Sequence, residues 1–337
     1  MNTSLIKKKE IGGYIELERY PGEPYHKNAI ALNSGRDCLK YLIRLRKIQT
    51  IFLPDYLCSV IYETCKKENV AIKYYSIGEN FLPDFKNLEI KDSDFVYVIN
   101  YYGLLSEQFL AKLNGTFPHR IILDNSQAFF LKPQKGFDVI YTCRKFFGVP
   151  DGGYLYTYDK SKIESKIELA KSSPHFAHIL GRFESNGSEY YKESGKNEKR
   201  LEIEDLRAMS KLTANLLNPI DYQSALEKRL RNWLTLDSSL RKFNLLDLTV
   251  SPLGSYMYPF MIEQGKELKS FLIKHSIYVP TLWPNTIEEA KSNSWAYRYA
   301  ELIVPLPIDQ RYDKSDMNVI LILIDDFFHK QPTTTKG

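Results

Sequence analysis

Apolar and polar positions change rhythm twice along this chain. From about residue 30 to 160, short apolar runs alternate with segments of helical spacing. Ile51-Phe52-Leu53, Ala71-Ile72-Lys73-Tyr74-Tyr75, Phe95-Val96-Tyr97-Val98-Ile99 and Arg120-Ile121-Ile122-Leu123 predict strands, with crossover helices over 57–68 and 104–113. That alternation predicts an open, mostly parallel α/β sheet. Two more strands, Phe137-Asp138-Val139-Ile140-Tyr141 and Gly153-Tyr154-Leu155-Tyr156-Thr157, flank a short loop bearing glycine and proline. In such sheets ligands sit beyond the carboxyl ends of the strands.

Beyond residue 160 the spacing predicts a helix over 163–170, a polar stretch over 186–199 that forms a loop or an arm reaching a partner, and a long helix over 201–217. Residues 225–243 read as a long amphipathic connector. Strand, helix, strand and helix follow over 257–262, 267–275, 302–306 and 317–329. The expected organisation is a large domain over 1–220 and a smaller C-terminal α/β domain over 221–337.

A chain of 337 residues, 43% hydrophobic and 26% charged, buries a real core in each domain and falls outside the disordered and collagen-like classes. No run reaches the roughly 18 apolar residues of a membrane span, and the first residues lack the apolar core of a signal peptide. A cytoplasmic protein is the expectation. Cys38, Cys58, Cys65 and Cys143 have neither Cys-x-x-Cys nor matching histidine spacing, so reduced thiols and no metal site are expected. The net charge of +5 is scattered, too diffuse for a nucleic-acid footprint but favourable to a phosphorylated ligand.

Three segments carry candidate chemistry. Asn33-Ser34-Gly35-Arg36 opens a helical pattern, where free backbone N–H groups suit a phosphate; Ser34 as a plain helix cap is the competing account. Asp124 ends a buried strand, where a carboxylate needs a cation or a donor, unless it caps the following turn. Gln127 lies three residues further on, within reach of the same ligand if the chain turns. Lys145 enters a loop of aromatics and glycines that can desolvate its amine, as Schiff-base chemistry requires; a solvated surface lysine is the alternative.

Taken together, Gly12-Gly13-Tyr14-Ile15-Glu16-Leu17-Glu18, Asn33-Ser34-Gly35-Arg36, Leu53-Pro54-Asp55-Tyr56-Leu57-Cys58, Asn100-Tyr101-Tyr102-Gly103, Asp124-Asn125-Ser126-Gln127-Ala128 and the run from Arg144 to Gly153 resemble the DegT/DnrJ/StrS family of sugar aminotransferases. The resemblance implies fold type I, the aspartate-aminotransferase architecture, with pyridoxal 5'-phosphate as cofactor. It implies a Schiff base on Lys145, Asp124 on the pyridinium nitrogen and Gln127 on the ring hydroxyl. Ser34, Gly35 and Arg36 would hold the phosphate, with Thr142 in place of a usual serine, and Tyr56 would stack on the ring. Cys58 stands where an aromatic is usual, Asn100 where a histidine is frequent, and Asn186 lies in the arm that would reach a neighbouring subunit.

The implied reaction moves an amino group from an amino acid, glutamate by family analogy, onto a keto sugar carried by a nucleotide, in polysaccharide or glycoconjugate synthesis. A homodimer follows from the architecture. Family members that deoxygenate sugars have histidine in place of lysine, and Lys145 argues against that branch. Two other classes stay open at this level: a non-catalytic nucleotide- or sugar-binding regulatory module, and another fold type I enzyme such as a lyase, dehydratase or desulfurase.

Overall fold

The computed structural model describes residues 11–248 and 252–330. In the first part of the chain the elements run β1 (Ile30–Leu32), α1 (Gly35–Arg46), β2 (Thr50–Pro54), α2 (Ser59–Lys67), β3 (Ala71–Ile77) and β4 (Pro83–Asp84). Then come β5 (Phe95–Ile99), α3 (Glu107–Thr116), β6 (Ile121–Asp124), β7 (Asp138–Thr142) and β8 (Gly153–Tyr156). These eight strands form one sheet in the order β1-β8-β7-β6-β5-β2-β3-β4.

Within it, β3, β2, β5, β6 and β7 are parallel, whereas β8 is antiparallel to both β7 and β1. The near-continuous apolar runs follow from this: β6 and β7 are buried at every position, as strands covered on both faces must be. The chain proceeds from β2 to β3 on one side and from β5 through β7 on the other, so direction reverses at β2/β5. Because β8 is antiparallel to its two neighbours, β1 ends on the same edge as β6 and β7. That register gathers Ser34, Asp124 and Thr142 at one end of the sheet.

The second part runs α4 (Ala177–Glu184), α5 (Tyr191–Ile203), α6 (Lys211–Leu217) and α7 (Tyr222–Leu240). A smaller unit follows: β9 (Met257–Met261), α8 (Gly265–Lys274), α9 (Pro284–Glu289), α10 (Trp295–Leu302), β10 (Ile303–Pro307) and α11 (Lys314–Lys330). Here β9 and β10 pair antiparallel, and α7 packs on β9 and α11. Among the described residues no helix is long and apolar enough to cross a membrane.

Two expected helices are absent or shortened. Residues 163–170 are not helical, and the segment expected as one helix over 201–217 breaks after Ile203 and restarts at Lys211. The cause is the open edge of β1: Asn33 N–H donates to Arg207 O, and Met209 N–H to Ala31 O. Ala208 in turn exchanges hydrogen bonds with Glu168 and Ala170. Pairing an exposed strand edge outweighs local helical propensity. The polar stretch expected as a loop or partner-seeking arm is largely helix α5, whose Asn197, Arg200 and Leu201 are buried on its own chain. Asn186 lies outside that helix, hydrogen-bonded within its exposed turn to Ser188 and Glu189.

Candidate active site

A cavity of about 640 Å³ opens at the carboxyl ends of the strands. Ser34, Gly35, Arg36, Asp124, Gln127, Thr142 and Lys145 all line it. They come from three separate stretches of chain, so their convergence is a product of topology. Its wall carries five cations, Arg36, Arg144, Lys145, Arg229 and Arg311, against the carboxylates Asp124, Glu198 and Asp309. The excess suits an anionic ligand.

Asp124 is held from both sides. Tyr97 donates its hydroxyl to Oδ2 at 2.8 Å, and the Ser126 N–H donates to Oδ1 at 2.7 Å. The carboxylate thus caps its own turn and also lines the cavity. Two fixed donors orient the carboxylate while leaving lone pairs for a cationic N–H. Tyr97, on the neighbouring strand β5, escaped the sequence reading; its signal was a hydroxyl inside an otherwise apolar buried strand.

Gln127 is fixed by its own turn. Its Oε1 accepts the Tyr102 N–H at 3.0 Å, and its backbone carbonyl accepts the Tyr256 N–H at 3.0 Å. Since a donor points at Oε1, the amide NH2 is directed elsewhere, and it makes no hydrogen bond among the described residues. It remains a donor available to a ligand. The Asn100 Nδ2 supports the same turn through Asn125 Oδ1 at 3.0 Å.

Ser34 is the N-cap of α1, accepting the Asp37 N–H at 3.2 Å, and it also lines the cavity. The free N–H groups and positive end of the helix dipole point where Arg36 and Arg144 also gather. The turn is backed closely by β8: a side chain at Gly153 would place Cβ 2.6 Å from the Ser34 carbonyl. Only glycine allows that approach.

Lys145 follows β7 in a turn pinned at its far end. Asp151 accepts the Ser210 N–H at 3.0 Å and the hydroxyls of Ser210 and Thr213, tying the loop to the start of α6. Burial lowers the pKa of the Lys145 amine below its ordinary value, opposed by the nearby Asp124 carboxylate. The ammonium lies 5.5 Å from the Tyr256 ring centroid. Arg229, fully buried, stacks on Phe146 at 4.5 Å and holds Gln310 at 2.9 Å, joining the lysine loop to the smaller unit.

Tyr56 does not line the cavity. Its ring is 1% exposed and packs against Tyr101 at 5.1 Å and Trp283 at 5.0 Å, in a cluster with Phe81 and Tyr299. Residues 57 and 58 turn toward the cavity instead, and Trp283 closes the same wall, so the expected stacking assignment to Tyr56 is corrected. The Tyr56 ring takes the apolar side of the turn after β2, where Phe81, Tyr101 and Tyr299 bury it. Trp283, the residue that precedes α9, joins this wall.

No family model matches this sequence, and no curated protein does. Solved structures do. Sugar aminotransferase CalS13 from Micromonospora echinospora is 11% identical with a TM-score of 0.63, over 89% of this chain and 87% of that one. A DegT DnrJ EryC1 StrS aminotransferase from Brucella abortus is 14% identical with a TM-score of 0.61, over 90% and 86%. NtdA from Bacillus subtilis, with bound cofactor PMP, is 14% identical with a TM-score of 0.58, over 88% and 73%. The likeness runs through both units and shows the architecture to be fold type I.

Proposed function

We propose that this chain is a pyridoxal 5'-phosphate-dependent aminotransferase of the DegT/DnrJ/StrS type, which takes an amino group from an amino acid, glutamate by analogy, to a keto sugar carried by a nucleotide. The carrying observation is the meeting of Lys145, Asp124, Gln127 and the Ser34–Gly35 turn in one cavity, on the fold of solved sugar aminotransferases.

The residues present fit the cofactor. Asp124, oriented by Tyr97 and Ser126, would hold the protonated ring nitrogen, and the free amide NH2 of Gln127 would reach the ring hydroxyl. The N-terminus of α1 with Arg36 and Thr142 would hold the phosphate. When bound, the cofactor supplies an electron sink for charge at the carbon that bears the nitrogen. Lys145 would be its point of attachment and, once released, would carry protons on Nζ. That work needs an amine partly neutral near pH 7, and burial moves Lys145 in that direction. The desulfurase alternative needs a thiolate; Cys143 is fully buried and its thiol pushed up by that burial.

A homodimer belongs to the same reading, with the division into domains near residue 220. Its support is the extended segment before β1, where Ile11, Tyr14 and Ile15 are each at least 90% exposed.

The experiment is an absorption spectrum with pyridoxal 5'-phosphate, before and after glutamate, beside Lys145→Ala. Wild type should take up the aldehyde in a borohydride-fixable bond mapped to Lys145, and glutamate should convert the bound cofactor to its amine form. The variant should do neither. An unbound aldehyde would remove the enzyme reading and leave the binding module. Uptake followed by release of donor fragments would point to a lyase.

A further inference from the structure

Helix α5 lies over the cavity of its own chain and sends one carboxylate into the cluster of cations there. Glu198 Oε2 sits 3.0 Å from Arg36 Nη2, its Oε1 pairs with Arg144 Nη2, and its backbone carbonyl accepts Arg36 Nη1 at 3.4 Å. Both arginine side chains are largely buried, 11% and 19% exposed, whereas that of Glu198 is 41% exposed. Ser34, Gly35, Arg36, Arg144 and Glu198 line one stretch of wall at the N-terminus of α1.

One carboxylate serving two guanidiniums leaves them under-neutralised. Burial and the neighbouring Arg36 and Arg200 charges hold Arg144 down to about 10. A phosphate dianion, with three acceptor oxygens and twice the charge, satisfies such a pair better than one carboxylate. Glu198 is also free to leave. Helix α5 is anchored at other positions, by Asn197 Nδ2 on Pro150 O at 2.8 Å and at its C-cap by Lys40 Nζ on Glu204 O at 2.6 Å.

We propose that Arg36 and Arg144 form a clamp for the cofactor phosphate and that Glu198 is an internal anion competing for it, released when the phosphate binds. The inference rests on the phosphate subsite of the proposed function. It adds Arg144 as a binding residue and gives α5 the part of a strap over its own subunit's site.

The test titrates wild type, Glu198→Gln and Arg144→Gln with pyridoxal 5'-phosphate, pyridoxal and inorganic phosphate, reading absorbance for the aldehydes and calorimetry for phosphate. Removing the competitor should tighten pyridoxal 5'-phosphate and inorganic phosphate by about three- to tenfold, the worth of one or two partly exposed ion pairs. Pyridoxal, which lacks the phosphate, should bind Glu198→Gln as it binds wild type. Arg144→Gln should lose the preference for the phosphorylated aldehyde. If Glu198→Gln weakens all three ligands or leaves the phosphate preference unchanged, Glu198 supports the wall and the inference fails. If wild type takes up neither aldehyde while inorganic phosphate still binds the variant more tightly, the clamp stands and the aminotransferase reading falls.

Discussion

Lys145 shows how burial turns a common residue into a reactive one. A solvated lysine is a cation near pH 7; here desolvation favours the neutral amine, and Asp124 limits how far that goes. The rate of aldehyde uptake should therefore rise with pH through a midpoint below the ordinary 10.5, measured by stopped-flow absorbance. A midpoint at the ordinary value would mean the amine is solvated. The linkage has a fixed sign: between the lowered pKa and 10.5 the unfolded chain holds the extra proton, so this residue's contribution to stability rises with pH across that window. Asp124 is a complementary case, a carboxylate kept in place by Tyr97 from the next strand. Its position at a strand end was legible in the sequence. Its partner was not, because a cross-strand neighbour depends on register.

At the scale of elements, the site hangs on two backbone arrangements that have little to do with helix or strand propensity. One is the contact of β8 with the turn before α1, where Gly153 admits the Ser34 carbonyl. Gly153→Ala should destabilise the fold by about 1–3 kcal/mol, as overpacking does, and should weaken phosphate binding by displacing Ser34. The urea midpoint and a phosphate titration check both halves; an unchanged midpoint would show that the turn can shift without strain. The other is the strip over 207–209, extended because β1 and residues 168–170 both need backbone partners. Its seven-residue interruption between Ile203 and Lys211 sets the end of α5, and with it the placement of Glu198 over the cavity.

For the whole molecule, the cavity draws its walls from both units: Arg229, Tyr256, Trp283 and Arg311 face the large-sheet residues. Arg229 couples them, since it touches Phe146 of the lysine loop and Gln310 of the smaller unit. The N-terminal segment is a different matter. With Ile11, Tyr14 and Ile15 presented to solvent, it is suited to a second copy of the chain. Light scattering after size exclusion should report a dimer, and the paired substitutions Tyr14→Ser and Ile15→Ser should shift it toward monomer. A wild-type monomer at micromolar concentration would remove the dimer from the proposal.

The periodic part of the fold was legible along the chain. Apolar runs placed β2, β3, β5, β6, β7 and β8 within a few residues, and the amphipathic spacing placed α7, α8 and α11, because burying a strand or a helix face imposes a local pattern. The glycine and capping residues marked the turns in which Ser34 and Lys145 stand. Tertiary structure decided what depends on remote partners: the loss of helix over 163–170, the break at 204–210, the inward fold of α5, and the withdrawal of Tyr56 into an aromatic cluster. It also brought Tyr97, Arg144, Glu198 and Arg229 to the cavity or its supporting bonds. Their roles rest on hydrogen bonds and charges contributed by segments tens of residues away, and those are fixed only when the sheet order and its edges are satisfied.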